Sequence, residues 1–357
     1  MALIQGGLGW ICLIVIMALE MGAHGIARAA SEISPPILIQ AESEPPESTY
    51  DTPDAEHTSW LAQLINKSEI DLVALNSIRR DELQWSIAGN SAGTNPDIRS
   101  ELTWSDVHSY QITVGGRALI NRMVFLRGEL DYGWPQSGRV RDSDYNSDDR
   151  QDEYSRSISQ TGGDQMWDLS LGVGYPFLLA NNRMLLAPLL GYSYHVQNLR
   201  INSGKQVVTF PSGPPLGSLE GLDSTYRTQW KGPWLGCDLR YRIERLPTGD
   251  QPMELGLSLE IHLAEYDAEG NWNLRSDLDH PTSFEHDADG IGYSFTSEWL
   301  IELSFQWDLA MRFQYQHWLT DSGTDRIHYA SGATGTQQLN EVEWTTRSFM
   351  LGVTYHF

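Results

Sequence analysis

From residue 81 onward the chain alternates apolar and polar positions with a period of two, the repeat of a β-strand that has one greasy and one polar face. Between Ser109 and Ile120, the residues Tyr110, Ile112, Val114, Ala118 and Ile120 share a face, with Ser109, Gln111, Thr113 and Arg117 between them. The next segment sets Val124, Leu126, Leu130, Tyr132 and Trp134 against Arg127, Glu129 and Asp131. Trp167, Leu169, Leu171, Val173, Tyr175 and Phe177 alternate with Asp168, Ser170, Gly172 and Gly174. Leu255, Leu257, Leu259, Ile261 and Leu263 stand against Glu254, Ser258, Glu260 and His262, and the chain closes on Phe349, Leu351, Val353, Tyr355 and Phe357. Fainter segments at 82–90, 184–195, 225–242, 290–300 and 307–318 bring the expected number of strands to about ten.

A soluble sandwich alternates in the same way, but it would leave Arg127, Glu129, Asp131, Glu254, Glu260, Asp308 and Arg312 in water. A transmembrane barrel turns its apolar face to lipid and gathers those charges inside, where they can pair. Three features favour the barrel. Aromatic residues gather near strand ends, at Trp134, Tyr175, Phe177, Tyr192, Tyr194, Trp299, Trp307, Trp318 and Tyr355, as interfacial girdles require. Short connections near 121–122, 178–183, 243–252 and 301–306 alternate with long polar ones near 91–107, 135–165, 196–224, 267–289 and 319–342, the rhythm of periplasmic turns and external loops. The last strand runs to Phe357 itself. The predicted fold is therefore all-β, an antiparallel transmembrane β-barrel of about ten strands in the outer membrane.

Composition alone points elsewhere. A net charge of −23 over 357 residues and a mean hydropathy of −0.37 resemble an acidic soluble protein. Averaging hides the alternation, however, because each apolar position is offset by a polar neighbour. The charge does exclude a nucleic-acid partner, since phosphates are held by Lys and Arg. The long apolar run, Leu8 to Leu19, is followed by Ala27-Arg28-Ala29, so residues 1–29 read as a secretory signal peptide. Residues 30–80, with Pro35-Pro36, Pro45-Pro46 and Pro53 among many acids, read as an extended acidic linker, leaving 81–357 for the barrel. Two cysteines, Cys12 and Cys237, allow no disulfide framework. No zinc spacing, Gly-x-Ser-x-Gly or phosphate loop occurs, and no metal or cofactor is expected.

A ten-stranded barrel is just wider than side chains can fill. Arg117, Arg127, Glu129, Asp131, Asp168, Asp238, Arg240, Arg242, Glu254, Glu260, His262, Asp308 and Arg312 are expected to meet there in a paired network, because an unpaired buried charge costs several kcal/mol. Elsewhere the candidate chemistry is confined to the acidic stretch from Arg139 to Asp149, where Asp142 and Asp144, two apart on an extended chain, face the same way and could share a proton.

Several motifs in order resemble known barrels. These are Ser100-Glu101-Leu102-Thr103-Trp104, Asp131-Tyr132-Gly133-Trp134 followed by Arg141-Asp142-Ser143-Asp144-Tyr145, then Gly191-Tyr192-Ser193-Tyr194-His195, Tyr226-Arg227-Thr228-Gln229-Trp230-Lys231-Gly232-Pro233-Trp234, Trp272-Asn273-Leu274-Arg275 and the terminal Phe357. Over residues 81–357 the chain resembles the omptin-type ten-stranded barrels and, more closely, the outer-membrane proteins of environmental chlamydiae (the Protochlamydia outer membrane proteins). The chlamydial resemblance implies a surface or pore-forming role, and the leading expectation is a structural or small-solute pore component. The omptin resemblance implies an endoprotease with an Asp-Asp pair at Asp142 and Asp144 facing an Asp-x-His pair. After Tyr266 this sequence has Asp267-Ala268-Glu269-Gly270-Asn271-Trp272-Asn273 instead, and an amide cannot take a proton. His280, after Asp279, and His286 are the substitutes in reach. Adhesion through the long loops is the third expectation. Partners are outer-membrane lipid, with lipopolysaccharide as a candidate, and an unspecified solute or host surface.

Overall fold

The computed structural model describes residues 68–210, 214–244 and 252–357. The expected signal segment, and the linker as far as residue 67, lie outside them. The described chain is antiparallel β: β1 (Ser68–Ile87), β2 (Ser100–Ile120), β3 (Val124–Ser147), β4 (Gln151–Thr161), β5 (Met166–Gly174), β6 (Phe177–Leu179), β7 (Met184–Thr209), β8 (Gly217–Ser218), β9 (Asp223–Ile243), β10 (Met253–Asn271), β11 (Phe284–Ser304), β12 (Trp307–Thr320), β13 (Gly323–His328) and β14 (Thr334–His356). Because β4 and β5 both pair with β3 and β7, they form one stave; β12 and β13, both between β11 and β14, form another. With β1, β2, β3, β7, β9, β10, β11 and β14 this makes ten staves, and pairing of β1 with β14 from Asp71↔His356 to Ile87↔Leu339 closes them into a barrel. Closure removes the edges that an open sheet would expose.

Two boundaries differ from the sequence expectation. Strand β1 starts at Ser68, so the barrel takes in the last residues assigned to the linker. Across that boundary Arg79 and Asp81 point inward while Arg80 and Glu82 point outward, and charge on both faces erases the alternation. The long connections expected at 135–165, 196–224 and 319–342 are also largely strand, and that at 267–289 is strand at both ends: staves such as β10 and β7 run to 19 and 26 residues, about twice the roughly 9–11 that cross a bilayer.

The wall changes polarity partway up. On β10, Leu259 and Leu263 face outward and are exposed, whereas above them Glu265 and Glu269 face outward while Ala264, Tyr266 and Ala268 are buried inside. The outward apolar belt is bounded by two aromatic girdles. At the short-turn end lie Tyr175 with Phe177 (ring centroids 5.1 Å apart) and Trp307 with Tyr355 (4.8 Å). At the other end lie Tyr132 with Trp134 (4.8 Å) and Trp167 with Tyr194 (5.0 Å). Trp318, expected in a girdle, instead points inward and is 1% exposed.

Glycines make room for large rings inside. Gly191 pairs with Trp234 across β7 and β9, and a Cβ there would lie 2.2 Å from the indole. Gly292 pairs with Trp318 across β11 and β12 in the same manner, with 2.4 Å to the ring. Each indole thus lies over a bare backbone patch of the next strand.

Candidate functional site

The interior is stacked in three layers. Nearest the short turns is the charged one, which brings together most of the residues expected to form a network. Arg127 from β3 reaches across to Asp238 on β9 (2.8 Å) and to Glu260 on β10. Arg117 pairs with Glu298 and Arg312 with both Glu129 and Glu298 (2.8 Å to the latter). Arg240 binds Glu254 and lies 3.2 Å from Glu298, and Asp308 lies 2.9 Å from His356 Nε2. Arg242, by contrast, lies outside this layer, exposed and paired with the half-buried Glu302 (3.2 Å). Asp131 accepts a hydrogen bond from Thr113, and His262 bridges Glu260 (3.0 Å) and Ser193 (3.0 Å).

Sequence reasoning missed three central members. Glu298 is shared by Arg117, Arg240 and Arg312. Arg79 binds Asp81 through Nε and Nη2 (2.9–3.0 Å) and Asp168 through Nη1 (2.6 Å), and Asp168 also holds His195 Nδ1 at 3.0 Å. Arg79 falls in the stretch read as linker, and Asp81 sits just before the first expected strand at 82–90. Glu298 could have been found as the inward position between Trp299 and Ser297 on a strand already recognised. Opposite charges from facing walls draw the staves together, and the space left among these side chains amounts to about 70 Å³, room for a few waters.

Above the charges lies an aromatic layer. Trp104, Trp230, Trp318, Trp344, Tyr226 and Tyr266 are each 0–1% exposed. Their rings cross the lumen: Trp104 of β2 stacks on Tyr226 of β9 (5.1 Å, 17°), and Trp344 of β14 stacks on Trp318 (5.7 Å, 19°) and lies 6.2 Å from Trp230 of β9. Trp344 Nε1 donates to Asp81 Oδ1 (2.9 Å), tying this layer to the charges beneath.

The third layer is an outward-opening cup of about 720 Å³ at the long-loop end. Asp142 and Asp144 both face it from β3, with Arg99 and Arg275 nearby. Burial and the like charge of its neighbour hold the Asp142 carboxyl well above the ordinary aspartate range. The Asp144 carboxyl is also raised, by burial, against hydrogen bonds from Ser100 and Ser155. Just outside, burial and a hydrogen bond to Glu101 (2.7 Å) push the Tyr145 phenol up to about 12.

His280 does not join the acidic pair. The loop after β10 carries it to the exposed rim, where Nδ1 lies 2.7 Å from Asn271 Oδ1. His286, from β11, does line the cup; its Nδ1 meets Tyr226 Oη at 2.8 Å, and its Nε2 faces Asp325 of β13 at 3.4 Å. No sequence signal marked Asp325, which only the pairing of β11 with β13 brings beside His286. Asn273, in the place of a protease base, is structural: its side-chain oxygen accepts from Asp223 N (2.9 Å) and Ser224 Oγ (3.1 Å), and its amide donates to Gly221 O (2.7 Å). Among the described residues no group of three or more His, Cys, Asp or Glu is placed to hold a metal ion.

Solved barrels resemble this chain at low identity. The translocator domain of the autotransporter NalP from Neisseria meningitidis is 13% identical, with 81% of this chain and 88% of that one covered and a TM-score of 0.32. OprG from Pseudomonas aeruginosa is 8% identical (81% and 95% covered, TM-score 0.32). Ail, the attachment invasion locus protein of Yersinia pestis, is 9% identical (81% and 99% covered, TM-score 0.26). No curated protein matches the chain. The family model described as Protochlamydia outer membrane protein matches residues 76–357, from within β1 to the end of the chain. With a closed barrel, an outward apolar belt between aromatic girdles and that match, the chain belongs to the Protochlamydia outer membrane protein family and resides in the outer membrane.

Proposed function

We propose that this barrel works at the cell surface through its cup, as a binding or adhesive protein, with its interior kept shut to solutes. The observation that carries the proposal is the aromatic layer, in which rings from opposite walls meet with essentially no exposed surface between the cup and the charged lumen. This favours the structural and adhesive expectations over the small-solute pore. Reconstitution in a planar bilayer tests it. Wild-type protein is expected to give no current steps, and Trp318→Ala/Trp344→Ala protein to admit ions. Regular steps from the wild type would overturn the proposal.

One observation favours a second role, hydrolysis in the same cup: the Asp142–Asp144 pair and the His286–Asp325 pair line one cavity. Carboxyls with raised proton affinity suit a general acid or base. Peptide cleavage that disappears in Asp142→Asn/Asp144→Asn and His286→Ala proteins would support it, and its absence from wild-type protein would end it.

A further inference from the structure

We propose that the cup binds a neutral oligosaccharide. This rests on the surface-binding role above and names its ligand class. A volume of about 720 Å³ falls in the roughly 300–1,000 Å³ range of small-molecule sites.

Charge balance selects the chemistry. Asp142 and Asp144 stand in the same cavity as Arg99 and Arg275. A cationic ligand drawn to the acids would meet the guanidinium groups, and an anionic one would meet the carboxyls. A neutral polyol suits both, because adjacent hydroxyls can donate to a carboxylate and accept from a guanidinium at once. The raised proton affinity of the acidic pair adds O–H donors at the same spot.

The walls supply flat apolar faces for the C–H side of sugar rings. Trp272 is half-buried and packs edge-on against Phe284 (4.7 Å), and Tyr329 is 37% exposed. Deeper in, one polar atom on each of two buried side chains has no hydrogen bond among the described residues. Trp85 Nε1 and His286 Nε2 belong to residues only 5% and 2% exposed that line the cup, and the 3.4 Å approach of Asp325 to His286 is not in hydrogen-bonding line. Buried polar groups are rarely left unpaired, and a sugar hydroxyl fits both atoms.

The test uses the full chain in detergent micelles, with tryptophan fluorescence and calorimetry as readouts. The probes are maltotriose, cellotriose and chitotriose, a trilysine peptide, and purified lipopolysaccharide. Saturable binding of at least one trisaccharide is expected, weakened about tenfold or more by Trp272→Ala and by Asp144→Asn. Both variants should keep the heat-modifiable gel mobility of a folded barrel. Binding of lipopolysaccharide alone, whose phosphates and acidic sugars make it anionic, would overturn the neutral assignment, whereas binding of a free trisaccharide supports it. Binding of no sugar, binding indifferent to Trp272→Ala, or preference for trilysine would overturn the assignment. A barrel silent in bilayers that fails only the sugar arm leaves the surface-binding role standing, and a conducting wild type overturns that role whatever the sugars do.

Discussion

Replacing Arg79 with Met tests whether the charged layer holds the staves together. The guanidinium makes three contacts of 2.9–3.0 Å to Asp81, one of 2.6 Å to Asp168 and one of 3.2 Å to Gln111 Oε1, and it lies over Trp344 at 5.5 Å. Asp81 and Asp168 are 2% and 5% exposed, so Arg79→Met strands two carboxylates out of water. Breaking a buried ion pair in this way costs about 3–5 kcal/mol. With a denaturant dependence of about 3 kcal/mol per molar urea, the unfolding midpoint should fall by roughly 1–1.7 M. Tryptophan fluorescence in lipid vesicles reports the transition, with gel mobility as a second probe. Adding Asp81→Asn and Asp168→Asn should recover most of the loss, because the stranded charges are then gone. An unchanged midpoint in Arg79→Met, or a triple variant weaker than the single one, would refute the reasoning.

Three more outcomes follow from the same geometry. Gly191→Ala should displace the Trp234 indole, removing the Arg127 stacking at 5.1 Å and costing about 1–3 kcal/mol, visible as a red-shifted emission and a lower urea midpoint. The raised carboxyls of Asp142 and Asp144 bind protons more tightly when folded, so stability should fall as pH rises from the ordinary aspartate value, about 3.9, through the folded values. Asp142→Asn should flatten that dependence and stabilise the barrel near neutrality, as urea midpoints across the acid range would show. A chain starting at Asp81 loses most of β1, and with it both the β14 and β2 seams below that residue; it should fail to show heat-modifiable mobility, whereas a barrel that truly began at residue 81 would keep it.

How much of this was legible in the sequence follows the change in polarity. Where the outer face meets lipid, as at Leu126 and Leu130 around Arg127 and Glu129, the alternation stands out and gives strands, facing and ion-pair partners together. Above the upper girdle water wets the outside, so the outer residues turn polar while the inner ones stay mixed. The stretch Arg139-Val140-Arg141-Asp142-Ser143-Asp144 then reads as a loop although it continues β3. The acidic pair was still found, because residues two apart on an extended chain share a face whether or not a sheet surrounds them. Its surroundings were not. Arg275 enters from a loop, and His286 meets Asp325 only through pairing between strands far apart in sequence. Trp318 was misplaced for a related reason: an aromatic at a strand's wet end fits a girdle as well as an interior layer, and the parity that separates them depends on register.

The claim that the interior is shut between cup and lumen is tested most directly by side-specific labelling in a Cys237→Ser background. Ser155 lines the cup and Ser258 lies in the charged layer, 3.2 Å from Arg127. With a charged maleimide added only from outside the cell, Ser155→Cys protein should react and Ser258→Cys protein should not, until Trp318 and Trp344 are also truncated to Ala. Prompt labelling of Ser258→Cys with the aromatic layer intact would contradict the account.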